Sequence, residues 1–121
     1  MKVMSVPVKN IIVTITLDDN RVPQFAYEPD GPVVVDEPNT HIIYKLQDKT
    51  GMDLAFVGAS FDTPFDGIID AVKTEAPDML ILMDTNSVVG NTGFRLILSN
   101  SSNTLLVSSQ DPEVINRPKL L

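Results

Sequence analysis

Residues 11–17 read Ile11-Ile12-Val13-Thr14-Ile15-Thr16-Leu17, and this stretch decides the fold class. Ile11, Val13, Ile15 and Leu17 share one face; Ile12, Thr14 and Thr16 share the other. A two-residue period rich in β-branched side chains is the pattern of a strand with one buried face. Asp18-Asp19-Asn20 then supplies turn residues whose short side chains bond their own backbone. The same alternation returns over Thr40–Gln47, where Ile42, Tyr44 and Leu46 oppose His41, Lys45 and Gln47. It continues over Leu54–Phe61 and Phe94–Ser99. After the polar turn Asn100-Ser101-Ser102-Asn103 it closes over Thr104–Ser109. Gly58-Ala59-Ser60 predicts a bulge or a close backbone approach. Met79–Met83 is apolar throughout, which predicts burial on both faces.

Two stretches depart from this rhythm. Between Val22 and Asn39 stand Pro23, Pro29, Pro32 and Pro38. Proline fixes φ and removes a ladder donor, so only short extended pieces fit here, at Phe25–Tyr27 and Val33–Val35, most naturally on a sheet edge. In Ile68–Ala76, the set Ile68, Ile69, Val72 and Ala76 fits a two-turn helix, while Ile68, Asp70, Val72 and Thr74 fit an irregular strand equally well. Val114 and Ile115 allow one last short strand. The expected fold is an all-β, immunoglobulin-like Greek-key sandwich of about seven strands, with at most one short helix near 66–76. It occupies residues 1–121 as a single domain, since 121 residues suffice for one core.

Composition narrows the function. Sixteen acidic against nine basic residues give a formal net charge of −7, and the basic ones are scattered from Lys2 to Lys119. Phosphate neutralisation needs clustered Lys and Arg, so nucleic acid and anionic membrane surfaces are not expected partners. The absence of cysteine removes disulfides, thiolate metal sites and cysteine nucleophiles together. No segment approaches the ~20 apolar residues of a membrane span, and Met1–Lys9 has no secretory apolar core, so the cytoplasm is the expected location.

The motifs for chemistry fail one by one. A blue-copper site needs two His and a Cys, and the chain has His41 alone. Nothing in the spacing gives His41 a serine and an acid as partners, and Ser60, Ser87, Ser108 and Ser109 lack a nucleophile-elbow context. Asp62-Thr63-Pro64 and Asp84-Thr85-Asn86 both lack the glycine of an acid-protease turn. Gly90-Asn91-Thr92-Gly93 has no following helix or Lys to hold a phosphate. Oxygen-rich turns remain. Asp18, Asp19, Asp84 and Asn86, with Asp62 and Asp66 as a further pair, are the candidate ligands of a loop-built calcium or small-ligand site.

The tail reads Ser108-Ser109-Gln110-Asp111-Pro112-Glu113-Val114-Ile115-Asn116-Arg117-Pro118, with Glu28-Pro29 and Glu37-Pro38 upstream. An Asp-Pro followed by an apolar pair, Asn and Pro resembles the DP-EP family of small bacterial β-sandwich proteins. The resemblance implies a compact immunoglobulin-like sandwich without an assigned activity or catalytic residues. The expected role is therefore a non-enzymatic binding or assembly module, without a cofactor, that pairs an exposed edge strand with a second copy or a partner protein. The calcium or small-ligand site is the alternative. An enzyme of unrecognised type is third.

Overall fold

A computed structural model describes residues 6–118. Within them the chain forms ten strands: β1 (Val8–Leu17), β2 (Pro23–Glu28), β3 (Val33–Val35), β4 (Thr40–Asp48), β5 (Leu54–Phe61), β6 (Ala71–Ala76), β7 (Met79–Asp84), β8 (Gly90–Asn100), β9 (Leu106–Ser108) and β10 (Glu113–Asn116). The fold is all-β, without a helix among the described residues. The N-terminal reading falls partly outside them, because Met1–Ser5 are not described. The proline-rich stretch and the tail add β2, β3 and β10 to the strands that alternation marks out.

The strands form two sheets, ordered β2-β1-β4-β7-β6 and β3-β10-β8-β5, with β9 also paired to β8. Alternation places the core as expected. Ile11, Val13 and Ile15 of β1 and Ile42 and Tyr44 of β4 are buried from the first sheet, and Phe94, Leu96 and Leu98 of β8 from the second. The rings of Tyr27, Tyr44 and Phe94 meet edge-on at centroid separations of 6.5 and 6.1 Å, and Phe61 lies 5.2 Å from Phe94. This aromatic row ties the sheets across the core.

Three local readings resolve. Residues 68–76 do not form a helix: Ile68 enters the core, and Ala71–Ala76 pairs antiparallel with β7 as an edge strand. Edge pairing satisfies the backbone there without needing a buried face, and five of the six β6 residues are exposed. The expected bulge occurs, as a register break between Phe56 and Gly58 in the β5–β8 ladder. The close approach does not, since a Cβ at Gly58 would meet open space. Met79–Met83 is not buried on both faces. Leu80 and Leu82 are fully buried while Met79, Ile81 and Met83 are half-buried, because the sheet packs on one side only.

Strand directions set the rest. β1 and β4 run parallel, with Val8 opposite His41 and Ile15 opposite Asp48. The end of the sandwich holding Val8, Thr40 and Asp84 is here the proximal end. The end holding Leu17, Asp48 and Asn100 is the distal end. β2 runs back from the distal end along β1 only as far as Ile12. The chain then crosses between sheets through Glu28-Pro29-Asp30-Gly31-Pro32, with a cis Glu28–Pro29 bond, and continues as β3 beside β10.

Tyr44 carries a penalty inside this core. Its hydroxyl is buried without a hydrogen-bond partner among the described residues, and burial, then the neighbouring Tyr27, pushes its pKa far above the usual phenol value. An unsatisfied buried polar group costs about 1–3 kcal/mol. Tyr44→Phe keeps the ring contacts and removes the orphan, so urea unfolding should show a gain of about 1 kcal/mol or more; a loss would mean the hydroxyl has a partner.

Candidate functional site

β9 and β10 lie on the same flank of β8 and meet it end to end. β10 pairs with Gly90–Gly93, and β9 pairs with Ile97–Ser99. Between them Ser109-Gln110-Asp111-Pro112 breaks the strand, because proline has no N–H and the chain must jog around it. The jog is bolted down on both sides. Ser109 N donates to Leu96 O at 3.0 Å, Leu96 N donates to Ser109 Oγ at 2.8 Å, and Phe94 N donates to Pro112 O at 3.0 Å. The Asp111 carbonyl accepts from Ser109 Oγ and, at 2.7 Å, from the Tyr27 hydroxyl of β2 in the other sheet. Burial, opposed by the Ser109 bond and reinforced by the Asp111 charge, holds the Tyr27 pKa above its usual value, so the bolt stays protonated at neutral pH.

Distal to that bolt the described strands of the two sheets leave this side open. A cleft of about 610 Å³ opens between β2 and β9, within the ~300–1,000 Å³ range of ligand pockets. Its floor is apolar, from Leu17, Phe25, Met52, Leu54, Leu105 and Val107, and its polar rim includes Arg21 and Asp111. Leu106 stands at the mouth, 71% exposed. Asp48 shapes the adjacent turn. Burial works against its charge, but bonds from Thr50 Oγ1, Leu54 N and Thr50 N outweigh it and hold the carboxyl below its usual pKa.

The four residues read as candidate cation ligands lie at opposite ends of the molecule. Asp18 and Asp19 follow β1 at the distal end, where Asp18 Oδ1 already accepts from Asn20 N and Val22 N, both at 2.8 Å. Asp84 pairs with Thr40 at the proximal end, and Asn86 follows it. No single site gathers all four. Of the other pair, Asp66 is engaged with Thr63 Oγ1 and Ile68 N in its own turn. Among the described residues, no three His, Cys, Asp or Glu side chains come together as a metal cluster.

The proximal pair nevertheless sits in an unusual place. Asp84 and Asn116 of β10 are each 1% exposed. Asn116 Nδ2 faces three acceptors, Asp84 Oδ1 at 3.0 Å, Val88 O at 2.9 Å and Ile68 O at 3.2 Å, though it has only two hydrogens. Asp84 Oδ2, Asn86 Oδ1 and Asn116 Oδ1 are buried without a partner among the described residues. The cluster has too many acceptors and too few donors. Burial first, and the charge of Asp70, push the Asp84 pKa above the usual carboxylate value, against the donors Asn86 N and Asn116 Nδ2. Asn116, Tyr27 and Ser109 were not legible as site residues. Tyr27 belongs to a two-residue alternation with Phe25, and Asn116 to the tail motif, but neither signal names a partner.

A family profile, DP-EP, matches residues 9–118. The chain belongs to the DP-EP family. The match takes in both sheets, the cleft and the bolt of this DP-EP protein. No curated protein matches the chain.

The Asp84 cluster makes a pH prediction. A carboxyl whose folded pKa is raised contributes stability below its unfolded pKa, near 3.8, and that contribution is lost as pH rises through the folded value. Asp84→Asn retains an acceptor and supplies a donor. In urea melts the variant should therefore gain on the parent as pH rises from about 4, reaching about 1–3 kcal/mol at neutral pH. A constant difference across that range would refute the charge-burial account.

Proposed function

We propose that this chain is a non-enzymatic binding module, and that its ligand lodges in the cleft between β2 and β9. The observation that carries this reading is the cleft itself: an apolar floor under a polar rim that includes Arg21, Gln24, Gln110 and Asp111, flanked by two strands that, among the described residues, have a neighbour on one side only. Binding sites commonly combine apolar walls with a few polar groups that set orientation. The reading takes the chain as an acidic, immunoglobulin-like sandwich of the bacterial cytoplasm, partnered by protein rather than by nucleic acid or membrane. Its charge of −7 supports that choice of partner.

The three lone acceptor oxygens of Asp84, Asn86 and Asn116 favour a second reading, a small cation held at the proximal end. Its signature is a melting temperature raised by millimolar calcium in the parent protein and unmoved in Asp84→Asn.

The cleft reading is tested with Nile red, a neutral apolar dye. It should bind the native protein at one saturable site, and Leu106→Lys and Met52→Lys should each weaken binding at least tenfold. Leu106 is exposed and Met52 half-buried, so melting temperatures should shift by only a few degrees. Unchanged dye affinity in both variants would place the site elsewhere.

A further inference from the structure

The second sheet has different members at its two ends. Proximally it is β3-β10-β8, because β5 joins β8 only from Phe94 onward. Distally it is β9-β8-β5, and β3, which accompanies only β10 through Val33–Val35 and Val114–Asn116, has no counterpart outside β9 among the described residues. The first sheet is five strands wide. Its β2, with Phe25 and Tyr27 directed inward, therefore faces a position in the second sheet that no strand fills among the described residues. The cleft is that position.

The ladder beside it is poised for pairing. Ser109 N bonds Leu96 O, so the hydrogen-bonded pairs of the β8–β9 ladder are those of Val107 and Ser109. In an antiparallel ladder bonded and non-bonded pairs alternate, which turns the N–H and C=O groups of Leu106 and Ser108 away from β8, toward the empty position. The side chain of Val107 points into the core between them. A strand laid there would continue the line of β3, bond the outer edge of β9, and drop every second side chain onto Leu17, Phe25, Met52 and Leu105.

Resting on the binding-module reading, we infer that the cleft takes an extended segment of a partner protein by strand addition to the outer edge of β9, with apolar residues at alternate positions and basic flanks. Continuity with the β3 pairing specifies a strand rather than a helix or a compact ligand. Charge chooses the partner: two copies at −7 each repel, whereas a basic segment is drawn to an acidic domain. The cleft's own rim includes both Arg21 and Asp111, so the charge preference belongs to the flanks and not to the inserted side chains.

The experiment uses three capped heptapeptides, Lys-X-Thr-X-Thr-X-Lys, with X as valine, leucine or phenylalanine. At least one should bind, with Leu106 and Ser108 amides slowed at least tenfold in hydrogen exchange. N-methylation of one alternate set of its amides should weaken binding at least tenfold, and of the other set by less than threefold, since only one edge of the added strand meets β9. Affinity should fall with added salt. Equal effects of the two methylated sets would show side chains lodging in the cleft without strand addition. If all three peptides fail while Nile red binds as above, the strand inference is overturned and the cleft reading survives; if the dye fails as well, both fall. Light scattering that gives a doubled mass, with Leu106 and Ser108 already protected in the peptide-free protein, would assign the position to a second copy and overturn the choice of partner.

Discussion

The chain between β1 and β4 must climb the full height of the sandwich, because the two strands it joins lie side by side and run the same way. A tight hairpin cannot make that connection; parallel neighbours need a crossover. Here the crossover is a single ascending segment shared between the sheets. Its first half pairs with β1 as β2, its second half with β10 as β3, and Glu28–Pro32 carries it from one layer to the other. Pro29 and Pro32 suit the transfer, since neither could donate to a ladder if β2 ran on. Each sheet therefore receives an edge strand for half its height, and the distal half of the second sheet goes without.

Around that constraint the interior is uneven in quality. The aromatic row from Tyr27 through Tyr44 and Phe94 to Phe61 packs the middle, and buried aliphatics from both sheets surround it. Polar atoms interrupt it at Tyr44 and at the Asp84–Asn116 cluster, where acceptors outnumber donors. Natural domains carry few such groups, because each forfeits water without a replacement. Asn116 is nevertheless what joins the ends of β7 and β10 to the Ile68 and Val88 carbonyls, so the proximal end is held together by the same residues that leave it donor-poor.

Much of the fold could be read from residues in a row. Ile11–Leu17 and Thr40–Gln47 announce their buried faces because strand periodicity is local, and the prolines of 22–39 confine β2 and β3 to edges for an equally local reason. Residues 68–76 resisted because pairing with β7, a tertiary event, decided between two periodicities that both fit. The candidate site was less legible still. Asp18 and Asp84 look alike as turn acids, and only the register of β1, β4 and β7 shows that they occupy opposite ends. The cleft is a place where a strand is wanting, bounded by residues some eighty positions apart such as Phe25 and Val107, and no window along the chain contains it.

The break at Ser109–Pro112 also divides the mechanics of the molecule. β10 is clamped between β3 and β8, while three-residue β9 is, among the described residues, gripped from one side alone. Segments with fewer partners open at lower free energy than those held on both flanks. One long unbroken strand would share any disturbance along its whole length. Interrupted as it is, the outer flank of β8 has a compliant half and a stiff half, so that loosening β9 leaves the anchorage of β10 undisturbed.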